Sequence, residues 1–237
     1  MTAKRVPDPN HPPPSISTSS EYNSVICLGL GGFVVLNLGL LLSIPPVLIG
    51  RGAPYLPTRK AKVNDMFAVI RLYYSKIDSN STSKTCPDSK PSSLLSQHRT
   101  FVDLGSGDGR LVFRAAREGI FHKSIGYEIN PFLVMVAQSR RFVLAPKYFF
   151  RTDFILQSLW DVDLSNVDVV AVYGLNPIMK DLGLKLQREL KPGSLVVSNV
   201  FTIPGWKPSI ELSRDGIHVY RIPSCWNSKD ALNPSNY

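Results

Sequence analysis

The chain has 237 residues, 43% of them hydrophobic, with 27 Lys and Arg against 18 Asp and Glu for a formal charge of +9. That length is one ordinary domain with additions, and it can bury a core without disulfide or metal staples. Cys27, Cys86 and Cys225 and four dispersed histidines form neither a disulfide framework nor a metal-ligand spacing, so no zinc or iron site is expected.

Residues 1–24 are polar and rich in Pro and Ser, without apolar periodicity, and read as a disordered tail. From Val25 to Ile44 there is no charged residue, and Pro45-Pro46 would stop a helix. At about 1.5 Å per residue such a helix spans roughly 30 Å, the thickness of a hydrocarbon core. Residues 25–46 are therefore expected to form one transmembrane helix, which makes the lipid bilayer a partner. A lead-in segment and helix are expected over 53–74, with the helix itself at 61–74. A low-complexity stretch at 75–99 reads as a flexible loop.

From residue 100 strands and helices alternate, the pattern of a parallel sheet covered on both faces. Strands are predicted at 100–104, 124–128, 148–150, 167–173 and 194–200. Helices are predicted at 110–118, closed by Gly119, from Asn130-Pro131 to 144, and at 176–190. Segments 210–213 and 217–222 flank Asp215-Gly216, a favoured hairpin turn. The fold class is thus α/β: a Rossmann-like, seven-stranded methyltransferase sheet over 100–223 that ends in an antiparallel hairpin. One N-terminal transmembrane helix precedes it, and a tail follows at 224–237.

The most informative stretch is Phe101-Val102-Asp103-Leu104-Gly105-Ser106-Gly107-Asp108-Gly109-Arg110. A short buried strand breaks into a glycine turn and then a helix, whose free N–H groups and positive dipole end face any ligand above the turn. The dinucleotide fingerprint needs G-x-G-x-x-G; here the third glycine comes one residue early and Arg110 takes its place. An acid at the strand end followed by G-x-G-x-G is the pattern of S-adenosylmethionine-dependent methyltransferases. A nicotinamide dehydrogenase is disfavoured by the same spacing.

Ligands of open parallel sheets lie outside the carboxyl ends of the strands. Asp103 closes the first strand, beside the loop expected to hold the methionine part. Glu128 closes the second, where a carboxylate can accept both ribose hydroxyls. Asp153, expected just past the third, could accept from an adenine amino group, with Phe154 packing on the ring. The expected cofactor-binding set is Asp103, Gly105, Ser106, Gly107, Glu128, Asn130, Asp153 and Phe154.

Basic clusters at 59–62, at Arg110, Arg114 and Arg117, and at Arg140-Arg141 have no nucleic-acid motif beside them. They read as solvated helix faces or an anionic membrane surface, and no nucleic-acid partner is expected.

Several segments together resemble the mitochondrial protein-lysine methyltransferases that act on the ATP synthase c subunit and the adenine nucleotide translocase. They are Pro54-Tyr55-Leu56-Pro57-Thr58, the block 103–110, Gly126-Tyr127-Glu128-Ile129-Asn130-Pro131-Phe132-Leu133-Val134, residues 174–179, Leu186-Gln187-Arg188-Glu189-Leu190, Pro204-Gly205-Trp206 and Asp215-Gly216-Ile217. The resemblance covers roughly residues 53–222. It implies S-adenosyl-L-methionine as cofactor, and transfer of a methyl group to a lysine of a membrane-embedded protein, the ATP synthase protein first and the translocase second. It also implies the mitochondrial inner membrane, with the catalytic domain facing the matrix. Tyr173 and Asn176, just past the fourth strand, are the candidates to line the lysine amine. Tyr55 and Thr58 are candidates for a lid. The rival readings are a methyltransferase for a quinone or lipid and a non-catalytic cofactor-binding adaptor. Residues 198–203 depart from the aromatic-rich version expected in animal enzymes, which bears on the substrate rather than the chemistry.

Overall fold

The computed structural model describes residues 26–27, 29–34, 37, 58–82, 98–143, 146–174, 176–212 and 216–226. The chain divides into two compact units, Met1–Leu41 and Leu42–Tyr237.

In the first unit the described positions are helical, and the Asn37 amide donates to the Phe33 carbonyl at 2.7 Å. The expected transmembrane helix is overturned: among the described residues no helix is long and apolar enough to cross a membrane. Apolar content alone misled here. The described helical positions, 26–27, 29–34 and 37, fall short of the roughly 20 residues a span needs.

The second unit opens with α1 (Lys60–Thr82), followed by β1 (Thr100–Leu104), α2 (Arg110–Glu118) and β2 (Lys123–Glu128). Then come α3 (Pro131–Val143), β3 (Thr152–Leu156), β4 (Val169–Val172), α4 (Asn176–Glu189), β5 (Leu195–Asn199), β6 (Ile210–Leu212) and β7 (Ile217–Arg221). The strands form one sheet in the order β3-β2-β1-β4-β5-β7-β6, parallel from β3 through β5 and antiparallel at β7 and β6. The strand order reverses beside β1, so a crevice is expected at the carboxyl ends of β1 and β4.

Strand alternation sorts the core into two faces. Val102, Leu104, Val170, Val172 and Val196 pack with Met179, Leu182 and Leu186 of α4. Phe101, Val169, Ala171, Leu195 and Val197 pack on the other face with Val63, Met66, Phe67 and Ile70 of α1 and Leu111 and Ala115 of α2. Val169–Val172 is buried throughout, as a central parallel strand must be.

Several boundaries differ from expectation. Helix α1 continues to Thr82, into the predicted loop; residues 83–97 lie outside the described ones. The third strand is not at 148–150, because Pro146–Arg151 winds as a 3-10 helix and pairing begins at Thr152. Its register is fixed by a close approach. Gly126 faces Phe154, and a Cβ on Gly126 would lie 2.9 Å from the Phe154 ring. Strand β4 starts at 169 because Asp168 clamps the sheet's lower edge, accepting from the Thr100 N–H at 2.8 Å and pairing with Lys191 at 2.8 Å. Strand β5 ends at Asn199, since Val200 has φ +74°.

Candidate functional site

The carboxyl ends of the parallel strands carry the site. Leu104 ends β1, and the chain then turns through Gly105 (φ +82°), Gly107 (φ +53°) and Gly109 (φ +80°) into α2. Gly105 and Ser106 donate their N–H groups to the Tyr127 carbonyl at 2.8 and 3.0 Å, which ties the turn to β2. No atom lies within 4 Å of where a Gly105 Cβ would be, so the turn opens onto free space there. At Gly109 the same construction lands 2.5 Å from the Phe154 ring. One glycine faces a ligand's space and the other the core.

Glu128, at the end of β2, is buried and bound by three backbone N–H groups. Oε2 accepts from Gly107 at 2.9 Å, and Oε1 accepts from Ile129 and Asn130, each at 2.9 Å. A carboxylate offers about four acceptor sites, so a single site on Oε2 remains for a hydroxyl, not the pair expected. Asn130 caps α3, its Oδ1 accepting from Phe132 at 2.9 Å and Leu133 at 3.4 Å.

Asp103 is 3% exposed, and burial together with the Glu128 and Asp108 charges pushes its carboxyl up to about 8. Such burial disfavours its charged form, and a cation beside it favours that form. Burial also raises Asp108, but the Arg110 and Arg140 guanidiniums outweigh it and hold that carboxyl below its ordinary range. Arg110 reaches Asp108 with two bonds of 3.0 Å, and Arg140 reaches its Oδ2 at 2.5 Å and its carbonyl at 2.7 Å.

Asp153 and Phe154 are not where the sequence reading put them. Both lie inside β3 rather than past it. The Asp153 carboxylate is engaged by Arg141 at 3.3 Å and Lys123 at 3.6 Å. Phe154 is buried beneath the glycine turn, its ring centroid 5.1 Å from that of Phe113. The misplacement follows from the one-turn error in the third strand. The residues past β3 are Gln157, Ser158, Leu159 and Trp160; Gln157 N–H donates to the Glu128 carbonyl at 3.1 Å.

Tyr173 is half-buried just past β4, and Asn176 is exposed at the first turn of α4. Tyr55 lies outside the described residues. Thr58 is buried and strapped down at both sides: its carbonyl accepts from Arg110 at 2.9 Å, and its Oγ1 accepts from the Asn199 amide at 3.4 Å. Sequence reasoning missed Asn199, although the rule that ligands sit at carboxyl ends applies to the fifth strand as to the first. Its side chain is 3% exposed, and its Oδ1 is buried without a hydrogen-bond partner. Asp103, Ala171 and Val197 stand in one register row. By alternation Tyr173 and Asn199, two residues on, share their face, which is the one covered by α1.

The ANTKMT methyltransferase domain matches residues 103–210. A protein-lysine N-methyltransferase of Saccharolobus islandicus is 35% identical over 114 residues, 48% of this chain and 70% of that protein. The chain belongs to the protein-lysine N-methyltransferases. A lysine N-methyltransferase of the ATP synthase c subunit from Xenopus laevis is 37% identical over 115 residues, 48% of this chain and 49% of that protein. The chain spans about half the length of most of the animal relatives it matches. Among solved structures, an RNA methyltransferase of Salinibacter ruber in complex with S-adenosyl-L-homocysteine superposes with a TM-score of 0.55. It is 28% identical and covers 73% of this chain and 97% of that one. Among the described residues no group of His, Cys, Asp and Glu could hold a metal ion.

Proposed function

We propose that this chain transfers a methyl group to the ε-amine of a lysine in a protein substrate. The observation that carries the reading is that Asp103, Tyr173 and Asn199 stand on one sheet face at the carboxyl ends of β1, β4 and β5, in a member of the protein-lysine methyltransferases. The methyl donor is S-adenosylmethionine, whose sulfonium supplies an already activated methyl group.

The residues present suit that donor. The open space at Gly105 accepts a ligand against the main chain, the remaining acceptor site of Glu128 suits a ribose hydroxyl, and Asp103 suits a cationic group. Thr58 is held between Arg110, at the start of α2, and Asn199, at the end of β5.

With the donor activated, this chain's task is positioning the amine. A free lysine has a pKa near 10.4, so presenting it neutral at pH 7 costs about 4.6 kcal/mol. Burial beside the sheet edge disfavours the ammonium form. Two neutral acceptors, the Asn199 Oδ1 and the Tyr173 hydroxyl, hold the amine's N–H groups without stabilising its charge. The unpartnered Oδ1 is an acceptor already desolvated and waiting for a donor. Asn176, at the rim, meets the polypeptide flanking the lysine.

The names of the curated relatives support the ATP synthase c subunit as substrate, with the adenine nucleotide translocase second, and a mitochondrial location. The test is mass spectrometry of that ATP synthase protein from cells lacking this chain. Its lysine methylation is expected to vanish and to return with the wild-type chain but not with Asp103→Asn. Methylation that persists in the deletion contradicts the substrate assignment.

A further inference from the structure

Three basic clusters that are far apart in sequence meet at one place. Lys60 at the start of α1, Arg110, Arg114 and Arg117 along one face of α2, and Arg140 of α3 line a cleft of about 430 Å³ with Phe113 behind them. Among the described residues no carboxylate lines it. The cleft shares Thr58 and Arg110 with the surroundings of the glycine turn but none of Asp103, Gly105 or Glu128.

The nearby acids do not balance these cations. Asp108 is shared by Arg110 and Arg140, and Glu118 pairs with Arg114 at 2.7 Å while also holding Arg71 at 3.0 Å. Lys60 and Arg117 have no ion-pair partner among the described residues. Like charges gathered in a concavity repel one another and raise the local potential, which concentrates anions there. A second observation points the same way: Arg114 Nε is buried with no hydrogen-bond acceptor. A buried N–H left unpaired is unfavourable, so this guanidinium is incompletely partnered within the chain.

We propose that this cleft binds a phosphate-bearing anion. Four of its five cations are arginines. Arg110 spends all three of its nitrogens on Asp108 and Thr58 and contributes charge. Arg117 has no ion-pair partner among the described residues, and its planar fork matches the oxygens of a phosphate in pairs, as a lysine cannot. The charges converge on one concavity instead of running in the stripe that tracks a nucleic-acid backbone. The shared chemistry is the phosphate group, whether carried by a small soluble molecule or by a lipid headgroup.

The experiment uses the full chain and two probes. One is inorganic pyrophosphate, followed by titration calorimetry. The other is co-sedimentation with vesicles of phosphatidylcholine, with and without phosphatidylglycerol. The variants are Lys60→Glu and Arg117→Glu, both at exposed positions, with Arg188→Glu as a charge-matched control on α4, which packs on the other sheet face. Circular dichroism checks that each variant is folded. Saturable pyrophosphate binding weakened about tenfold by each cleft variant and unchanged in the control supports the site with a soluble phosphate. Binding confined to phosphatidylglycerol vesicles with the same pattern supports it with a lipid headgroup. No binding in either arm overturns the proposal, as does equal weakening by all three reversals. Tighter binding of a structured RNA through Lys60 and Arg117 also overturns it.

Discussion

Replacing Gly109 by alanine tests how the glycine turn divides its labour between ligand and core. The new Cβ would lie 2.5 Å from the Phe154 ring and 3.2 Å from Phe113. That ring is 4% exposed and held against Gly126, so it has nowhere to swing. Overpacking of this kind costs about 1–3 kcal/mol, and a left-handed alanine costs about 1–2 kcal/mol more. Gly105→Ala carries the same backbone penalty at φ +82° but meets nothing within 4 Å. Urea or thermal denaturation of the two variants is therefore expected to differ by about 1–3 kcal/mol, roughly 2–12 °C in a chain of this size. Donor binding should follow the opposite order, because the Gly105 methyl group fills the space a ligand needs. Equal losses of stability, or better donor binding by Gly105→Ala than by Gly109→Ala, refute the reasoning.

Asp103 gives a pH signature. Its folded-state pKa, about 8, lies above its ordinary value of 3.8. The donor-free folded chain thus holds a proton that the unfolded chain has lost, and this group's contribution to stability declines as pH rises from about 4 to about 8. Asp103→Asn removes that decline, so in thermal melts its stability relative to wild type should rise with pH across that window; a constant difference contradicts the assignment. Tyr173→Ala is expected to abolish methyl transfer while donor affinity, read by calorimetry, survives; parallel loss of both sinks its role beside the amine. Asn199→Ala removes the unpartnered buried oxygen together with the amide that donates to Thr58, so stability should fall by about 0.5–1.5 kcal/mol while the KM for the protein substrate rises; a loss of stability with unchanged KM contradicts the account. Val200→Gly relieves a β-branched residue at φ +74° and should stabilise the chain by about 1–2 kcal/mol in urea denaturation; destabilisation would mean that the valine side chain supports the site.

What could be read from the sequence was what local chemistry dictates. Gly109 and Gly119 bracket α2 with positive φ, Asn130 caps α3, Asp103 stands one residue before the end of β1 and Glu128 closes β2, each visible as a residue type at a required position. The third strand was displaced because Tyr148-Phe149-Phe150 looks as strand-like as Thr152-Asp153-Phe154. Only the fit of Phe154 against the bare backbones of Gly126 and Gly109 decides between them, and that is a tertiary fact. The same displacement carried Asp153 from the ligand edge to an ion pair with Arg141. Asn199 was within reach, since the fifth strand's end was predicted one residue from its true place. The basic cleft was not, because α1, α2 and α3 come together only through the sheet they cover. The long apolar stretch misled in the other direction: hydropathy measures preference for lipid, and a span also needs about 20 residues of continuous helix.

The most direct test of methyl transfer to a protein lysine is to incubate the full chain with radiolabelled S-adenosylmethionine and detergent-solubilised mitochondrial membranes, beside Glu128→Ala. The account predicts one small labelled protein, the ATP synthase c subunit, with the label on lysine and absent with Glu128→Ala. Label confined to the lipid extract, or a protein band that persists with Glu128→Ala, would contradict it.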